Sequence, residues 1–200
     1  MLVLASASPR RRDLLAQAGY EFHVLAADIC EAPLPNEEPV PYVLRLAREK
    51  AEAVAASPEF RLLAADASEP LLILGADTTV VAPNDQILGK PEDDADAARM
   101  LRLLAGATHQ VITGVALVAN RTTTTAAEVT SVTVASLAND DIAAYIATGE
   151  HRGKAGAYAI QGRFGRFVPR IHGCYFNVVG LPLSRVAELL AAAQRASVIR

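Results

Sequence analysis

Residues 70–81 read PLLILGADTTVV. From Leu71 to Ala76 no polar residue alternates with the apolar ones, which marks a strand covered on both faces rather than one half open to water. Asp77 interrupts this run, and Thr78 and Thr79 follow it. The turn residues APND (82–85) then lead into QILGKP (86–91), which predicts an antiparallel hairpin partner. Asp77 is therefore a carboxylate in or at the end of a core strand. An isolated buried charge is very costly, so Asp77 must be paired, hydrogen-bonded or metal-bound. A structural ion pair is one reading. A functional carboxylate is the favoured one, because Lys90 lies on the adjoining hairpin segment.

Outward toward the N-terminus, LASASPRRRDLL (4–15) raises a question of charge. Leu2 to Ala5 reads as a short strand, Ser8 suits an N-cap, Pro9 suits the first helical position, and an apolar-periodic run follows. Arg10, Arg11 and Arg12 then fill the first turn, where the macrodipole makes an exposed cation unfavourable by roughly 0.3–1 kcal/mol. The chain holds its own control in GKPEDDADAARMLRLLAG (89–106). A helix opening after Pro91 has Glu92, Asp93, Asp94 and Asp96 at its start, as the dipole favours. The arginines either swing into water or surround an anion. Strand, Ser-rich turn and helix N-terminus together favour the anion, most simply phosphate. Arg10 and Arg11 are then expected to bind it while being dispensable for the fold, and Arg12 to face solvent.

Between these stretches, EFHVLAAD (21–28) predicts a strand and the Pro-rich EAPLPNEEPVP (31–41) a loop. A helix is expected from about Pro41 to Ala56, with Val40, Val43, Leu44, Ala47, Ala51 and Val54 at helical spacing. Lys50 borders that face, as a snorkelling side chain or as an ammonium aimed into a cleft. Strands are expected within THQVITGVALVA (108–119) and EVTSVTVASL (128–137), with the Thr run 122–125 as a turn or edge. A helix is expected near 140–148, then the glycine- and aromatic-rich stretch 153–183. A last helix from about Pro182 carries Leu183, Val186, Leu190 and Ala193 on one face.

Two hundred residues that are 52% apolar and 20% charged suit one globular domain, so the chain is expected to form a single domain over 1–200. No apolar run approaches the ~18 residues of a membrane span, and no secretory signal is expected at the N-terminus. Cys30 and Cys174 lack the spacing of a disulfide framework or zinc site, so a cytoplasmic protein is expected. A formal charge of −3 argues against binding along nucleic acid, leaving a local site for a small phosphate ligand. Neither a P-loop, a dinucleotide fingerprint nor a G-x-S-x-G elbow is present. His23, His109, His151 and His172 are scattered without metal-ligand spacing. Of 19 cations only Lys50, Lys90 and Lys154 are lysines. Where Lys survives such a bias, a compact ammonium is needed that a planar guanidinium does not replace.

Taken in order, LASASPRRR, RLAREKA, GADTTV, GKP, TGV, GKAGAYAIQG and NVVGLPL resemble the Maf family of nucleoside triphosphate pyrophosphatases, over the chain to about residue 190. The resemblance implies an α/β fold like that of inosine triphosphate pyrophosphatases: a mixed, mostly antiparallel twisted sheet with flanking helices and two lobes around a deep cleft. It implies hydrolysis of a nucleoside triphosphate to monophosphate and pyrophosphate with Mg²⁺ or Mn²⁺, limiting incorporation of non-standard nucleotides. It places the proton-accepting aspartate on Asp77, catalytic lysines on Lys50 and Lys90, and the acidic, metal-holding loop residue on Glu31, with Asp77 as a second metal ligand. Substrate-binding positions fall on Ser8, Arg10 and Arg11. Arg11, Thr78 and Gln161 match the dTTP/UTP branch. The loop reads Cys30-Glu31 where the family often has Asp-Glu, and Ala135 stands where an aromatic is frequent. A non-catalytic nucleotide-binding regulator of septum formation and cell division, and a pyrophosphatase for modified purine triphosphates, are the rival readings. The expected partner is the nucleoside triphosphate, with no nucleic acid or membrane; a homodimer is left open.

Overall fold

The computed structural model describes every residue except 68, 69, 120, 121, 199 and 200. Along the described residues the order is β1 (Leu2–Ala5), α1 (Pro9–Gln17), β2 (Phe22–Val24), α2 (Pro39–Ala56), α3 (Pro58–Ala65), β3 (Leu72–Val81), β4 (Ile87–Leu88), α4 (Asp94–Leu104), β5 (Thr108–Ala119), β6 (Thr122–Thr133), α5 (Asn139–Ile146), β7 (Arg170–His172), α6 (Tyr175–Val179) and α7 (Leu183–Val198). The strands follow the order β2-β1-β3-β5-β6-β7, with β4 paired to β3. β1 runs parallel to both β2 and β3, whereas the β3–β4 and β6–β7 pairs are antiparallel. The fold is thus an α/β mixed sheet with flanking helices.

The apolar run is β3, as expected, buried at every position but Leu72 and Thr78. Three local features refine the reading from sequence. α2 begins at Pro39 with Glu38 as N-cap, two residues before the expected start. Pro39 and Pro41 both sit in its first turn, where no intrahelical N–H bond is lost. α3 was not foreseen, although Ser57 accepts the Phe60 N–H at 3.1 Å and Pro58 and Glu59 follow it as a helix start requires. Of the two readings of the Thr run, turn or edge, the structure has Thr122–Thr125 in strand β6, away from the Ser131–Thr133 segment that pairs with β7; β-branched side chains suit a pleated strand.

The chain divides into two compact units, the first of residues 1–77, 113–128 and 180–200, the second of 78–112 and 129–179. In the second unit Leu88, Met100, Leu101, Leu104, Val132 and Ile142 join a buried aromatic group of Tyr145, Tyr158 and Phe164. His109 hydrogen-bonds the Tyr158 hydroxyl at 2.8 Å there, and burial pushes its pKa down to about 4, so it serves as a neutral core residue.

In the first unit Val3, Ala5, Ala47, Ala51, Val54 and Ile73 pack α2 onto β1 and β3. Two glycines set how closely α2 lies on its strands. A Cβ on Gly75 would collide with the Ala47 carbonyl oxygen, and one on Gly114 with the Val43 carbonyl oxygen. Both obstacles are helix backbone, which cannot rotate away. Gly75→Ala should therefore destabilise the fold by at least about 2 kcal/mol through overpacking, read as a lower denaturation midpoint in urea. A midpoint equal to that of the unaltered protein would show that α2 has room to retreat.

Candidate active site

The β1–β3 register pairs Ala5 with Gly75, so the residues after each, Ser6 and Ala76–Asp77, emerge at the same end of two parallel strands. Ligands of α/β sheets commonly bind beyond such carboxyl ends. α2, lying against Gly75, brings Lys50 there. Its Nζ donates to Asp77 Oδ1 at 2.6 Å and stands 2.6 Å from Glu31 Oε1. The Lys50 and Asp77 side chains are 9% and 10% exposed, while Glu31, on the loop before α2, is 42% exposed. One ammonium thus joins two carboxylates from separate elements.

The first helix divides its arginines by direction. Arg12 is exposed and Arg10 half-buried, but Arg11 is buried. The Arg11 Nε donates to the Gly180 carbonyl at 2.8 Å, and Nη1 donates to the Ala76 carbonyl at 2.8 Å and to Ser6 Oγ at 3.2 Å. Burial pulls the Arg11 pKa down, against the nearby charge of Asp77, which raises it. Against the expectation that Arg11 is dispensable for the fold, its buried guanidinium donates to the Gly180 and Ala76 carbonyls and to Ser6. Ser8 stands at the N-cap position with extended backbone, yet its side chain makes no capping bond. α3 and α4 are capped by Ser57 and Asp93. α1 opens without such a cap and with cations in its first turn.

Tyr42 and Arg45 of α2 were not singled out from the sequence. The Tyr42 hydroxyl donates to the Glu31 carbonyl at 2.8 Å. Burial, then the charges of Asp77 and Glu31, push its pKa up to about 12, so it remains a proton donor. The i, i+3 spacing of Tyr42 and Arg45 was the available signal.

The remaining expected residues belong to the second unit. Thr78 follows Asp77 along β3 and is half-buried; Lys90 and Gln161 are exposed. Lys154 Nζ donates to the Arg152 carbonyl at 3.5 Å, a local loop contact.

Glu31 and Asp77 offer hard oxygen donors of the type Mg²⁺ and Mn²⁺ prefer, and so fit the implied divalent cation as two ligands among phosphate oxygens and water. No group of three His, Cys, Asp or Glu residues able to hold a metal occurs among the described residues. No helix among them is long and apolar enough to cross a membrane.

The family model described as "Maf-like protein" matches residues 1–193. The chain is 51% identical over 189 residues to a dTTP/UTP pyrophosphatase of Geobacter sulfurreducens, covering 94% of this chain and 93% of that one. It is 48% identical over 192 residues to one of Koribacter versatilis, covering 96% and 94%, and 50% identical over 190 residues to one of Salmonella typhimurium, covering 95% and 91%. Among solved structures, the Staphylococcus aureus Ham1 protein overlaps 66% of this chain and 71% of its own, at a TM-score of 0.33 and 12% identity.

Two substitutions examine this geometry. Arg11→Ala removes a buried guanidinium that donates to two backbone carbonyls and to Ser6, and should lower stability by about 3 kcal/mol, measured by denaturant unfolding without ligand; unchanged stability would restore the dispensable arginine. Lys50→Arg keeps the charge but must fit a planar fork where an ammonium sits 2.6 Å from two oxygens. It should lose most activity in a nucleotide hydrolysis assay, and near-normal turnover would show that charge alone suffices.

Proposed function

The chain belongs to the Maf family, and we infer that it hydrolyses dTTP and UTP to the monophosphate and pyrophosphate. The observation that carries this reading is the buried Lys50 ammonium held at 2.6 Å from both Asp77 and Glu31. The relatives of about half-identical sequence, each named dTTP/UTP pyrophosphatase, support the same substrates. Residues 1–200 are read as one functional domain, acting in the cytoplasm on free nucleotides.

Each role follows from charge. A triphosphate brings several negative charges, and its cleavage develops more on the phosphoryl oxygens, so fixed cations supply the main stabilisation. Arg10, in the first turn of a helix that no side chain caps, meets phosphate together with first-turn N–H groups and the positive pole. That ligand explains a cation at this pole. Lys50 anchors Asp77 through Oδ1 and aims its carboxylate, which accepts the proton of the attacking water. Glu31 completes the acidic pair. Glu31 and Asp77 would hold a divalent cation, which would supply charge neutralisation on the phosphates. Ser8 and Lys90 bind and stabilise phosphate. Arg11, Thr78 and Gln161 select the pyrimidine base, Arg11 from an anchored position.

Asp77→Asn separates an enzyme from a nucleotide-binding regulator. It keeps size and some hydrogen bonding but removes the base, so pyrophosphate release from dTTP should slow by a factor on the order of 10² to 10⁴. Losing a carboxylate relieves repulsion with the phosphates and weakens the metal, opposing effects that should leave dTTP binding within about tenfold of the unaltered protein. Hydrolysis at the original rate would make Asp77 structural. Binding of dTTP by the unaltered protein without cleavage of any triphosphate, with Mg²⁺ or Mn²⁺ present, would establish the regulator.

A further inference from the structure

The loop that carries Glu31 has no regular structure, yet α2 holds it at several points. Within the loop, residues 34–37 close a tight turn. The Glu37 N–H donates to the Leu34 carbonyl at 3.1 Å, the Leu34 N–H donates to Glu37 Oε2 at 2.9 Å, and Asn36 takes a positive φ of 58°. Asn is one of the few side chains that accept this backbone readily. The turn presents the Glu37 carboxylate to α2. There Arg45 grips it with two parallel bonds, Nε to Oε1 and Nη2 to Oε2, each 2.6 Å. The same Nη2 donates to the Ala32 carbonyl at 3.1 Å, one residue past Glu31. Nη1 is tied back to Glu49 Oε2 of α2 at 3.2 Å, and the guanidinium carbon lies 5.7 Å from the centre of the Tyr42 ring, whose hydroxyl holds the Glu31 carbonyl.

We propose that Arg45 and Glu37 are positioning residues for the reaction: their bidentate pair clamps the acidic loop to α2 so that the Glu31 carboxylate is presented to Lys50 and Asp77. The clamp touches no reacting atom and acts through Glu31, so the inference rests on the reading of Glu31 as part of the reacting site. Three features support a clamp rather than an ornamental surface pair. A planar fork on a carboxylate fixes orientation as well as distance, which a single lysine contact does not. The Arg45 and Glu37 side chains are only 14% and 8% exposed, so water competes little for their bonds. The hydrogen bonds from Arg45 hold the Glu37 carboxyl down at about 2, so the pair remains charged at any pH where nucleotides are handled. Without this grip Glu31 is an exposed residue on an irregular loop, and its contact with Lys50 must be held against the entropy of that loop.

The test is a double-mutant cycle with dTTP in the presence of Mg²⁺, reading kcat, KM and melting temperature separately. Arg45→Gln and Glu37→Gln should each lower kcat about tenfold or more, the usual cost of losing a group that orients a site residue, with KM within about threefold. The decisive arm repeats both substitutions on Glu31→Gln. If the clamp acts through Glu31, Arg45→Gln and Glu37→Gln cost nothing further there, because the carboxylate they position is already gone. Should Arg45→Gln fail to fold, Glu37→Gln, which lies on the loop and leaves α2 intact, carries the same cycle. A full further loss on the Glu31→Gln background overturns the clamp, as do unchanged kcat values in both single variants when Glu31→Gln itself is slow. Glu31→Gln turning over at the original rate overturns the reading of Glu31, and the clamp with it.

Discussion

Lys50 is a cation on a helix whose neighbours on the same face are Val43, Leu46, Ala47, Ala51 and Val54, all buried. Taking an ammonium out of water costs several kcal/mol, and removing one partner from a buried pair typically costs about 3–5 kcal/mol. The structure meets that cost by surrounding Nζ with two carboxylates, one from the central strand and one from a loop. The arrangement requires α2 to lie close enough for a lysine stem to reach the end of β3. Side chains at Gly75 or Gly114 would lift the helix away. An apolar residue at position 50 would fill the same space with less desolvation, and buried ion pairs are often neutral or worse for stability than such replacements. On the proposed function, the glycines, the helix approach and the acidic pair are parts of one chemical device.

The arginines at the positive pole of α1 turn out to solve two problems. Arg11 turns inward, where carbonyl oxygens of Ala76 and Gly180 offset its unfavourable place on the helix. That contact joins the peptide before Asp77 to the residue after which the chain runs into α7. Arg10 stays half-buried in the first turn of a helix that no side chain caps. Dipole reasoning treated the three cations alike because it sees only sequence position. Their separation depends on which way each successive residue, about 100° around the helix from the last, points relative to the sheet.

Much of this molecule was legible from local pattern. β1, β3, the β3–β4 hairpin, α4 and α7 were read within a few residues, because apolar runs, turn dipeptides and acidic helix starts are signals carried by adjacent residues. Lys50 and Asp77 were legible because a charge amid apolar residues demands an explanation. Less visible were features that depend on distant partners. Arg45 looks from sequence like any solvent-facing helix arginine, and Glu37 like one member of an acidic loop; only the turn at 34–37 brings them together. The NVVGLPL piece of the resemblance likewise gains physical meaning only in three dimensions. Asn177 buries its amide against the Val111 carbonyl and Thr130 Oγ1, each at 2.9 Å, and Gly180 lends its carbonyl to Arg11.

One helix, α2, carries core residues, the contacts to the acidic loop and Lys50 at once. Positions 43, 46, 47, 50, 51 and 54 form the inward face. Positions 42, 45 and 49, at spacings of three and four, form the face that holds the loop. The two faces adjoin at Tyr42 and Leu46, and Lys50 lies within the inward face between Leu46 and Val43. A roll of the helix would move both faces together: apolar side chains would leave the core just as Arg45 left the loop and Lys50 left Asp77. Burial of the inward face, at roughly 1.5–3 kcal/mol for each large apolar side chain, thus opposes any rotation that would disturb the site. Packing energy that belongs to the fold becomes, through this shared helix, the force that holds Lys50 in place between its two carboxylates.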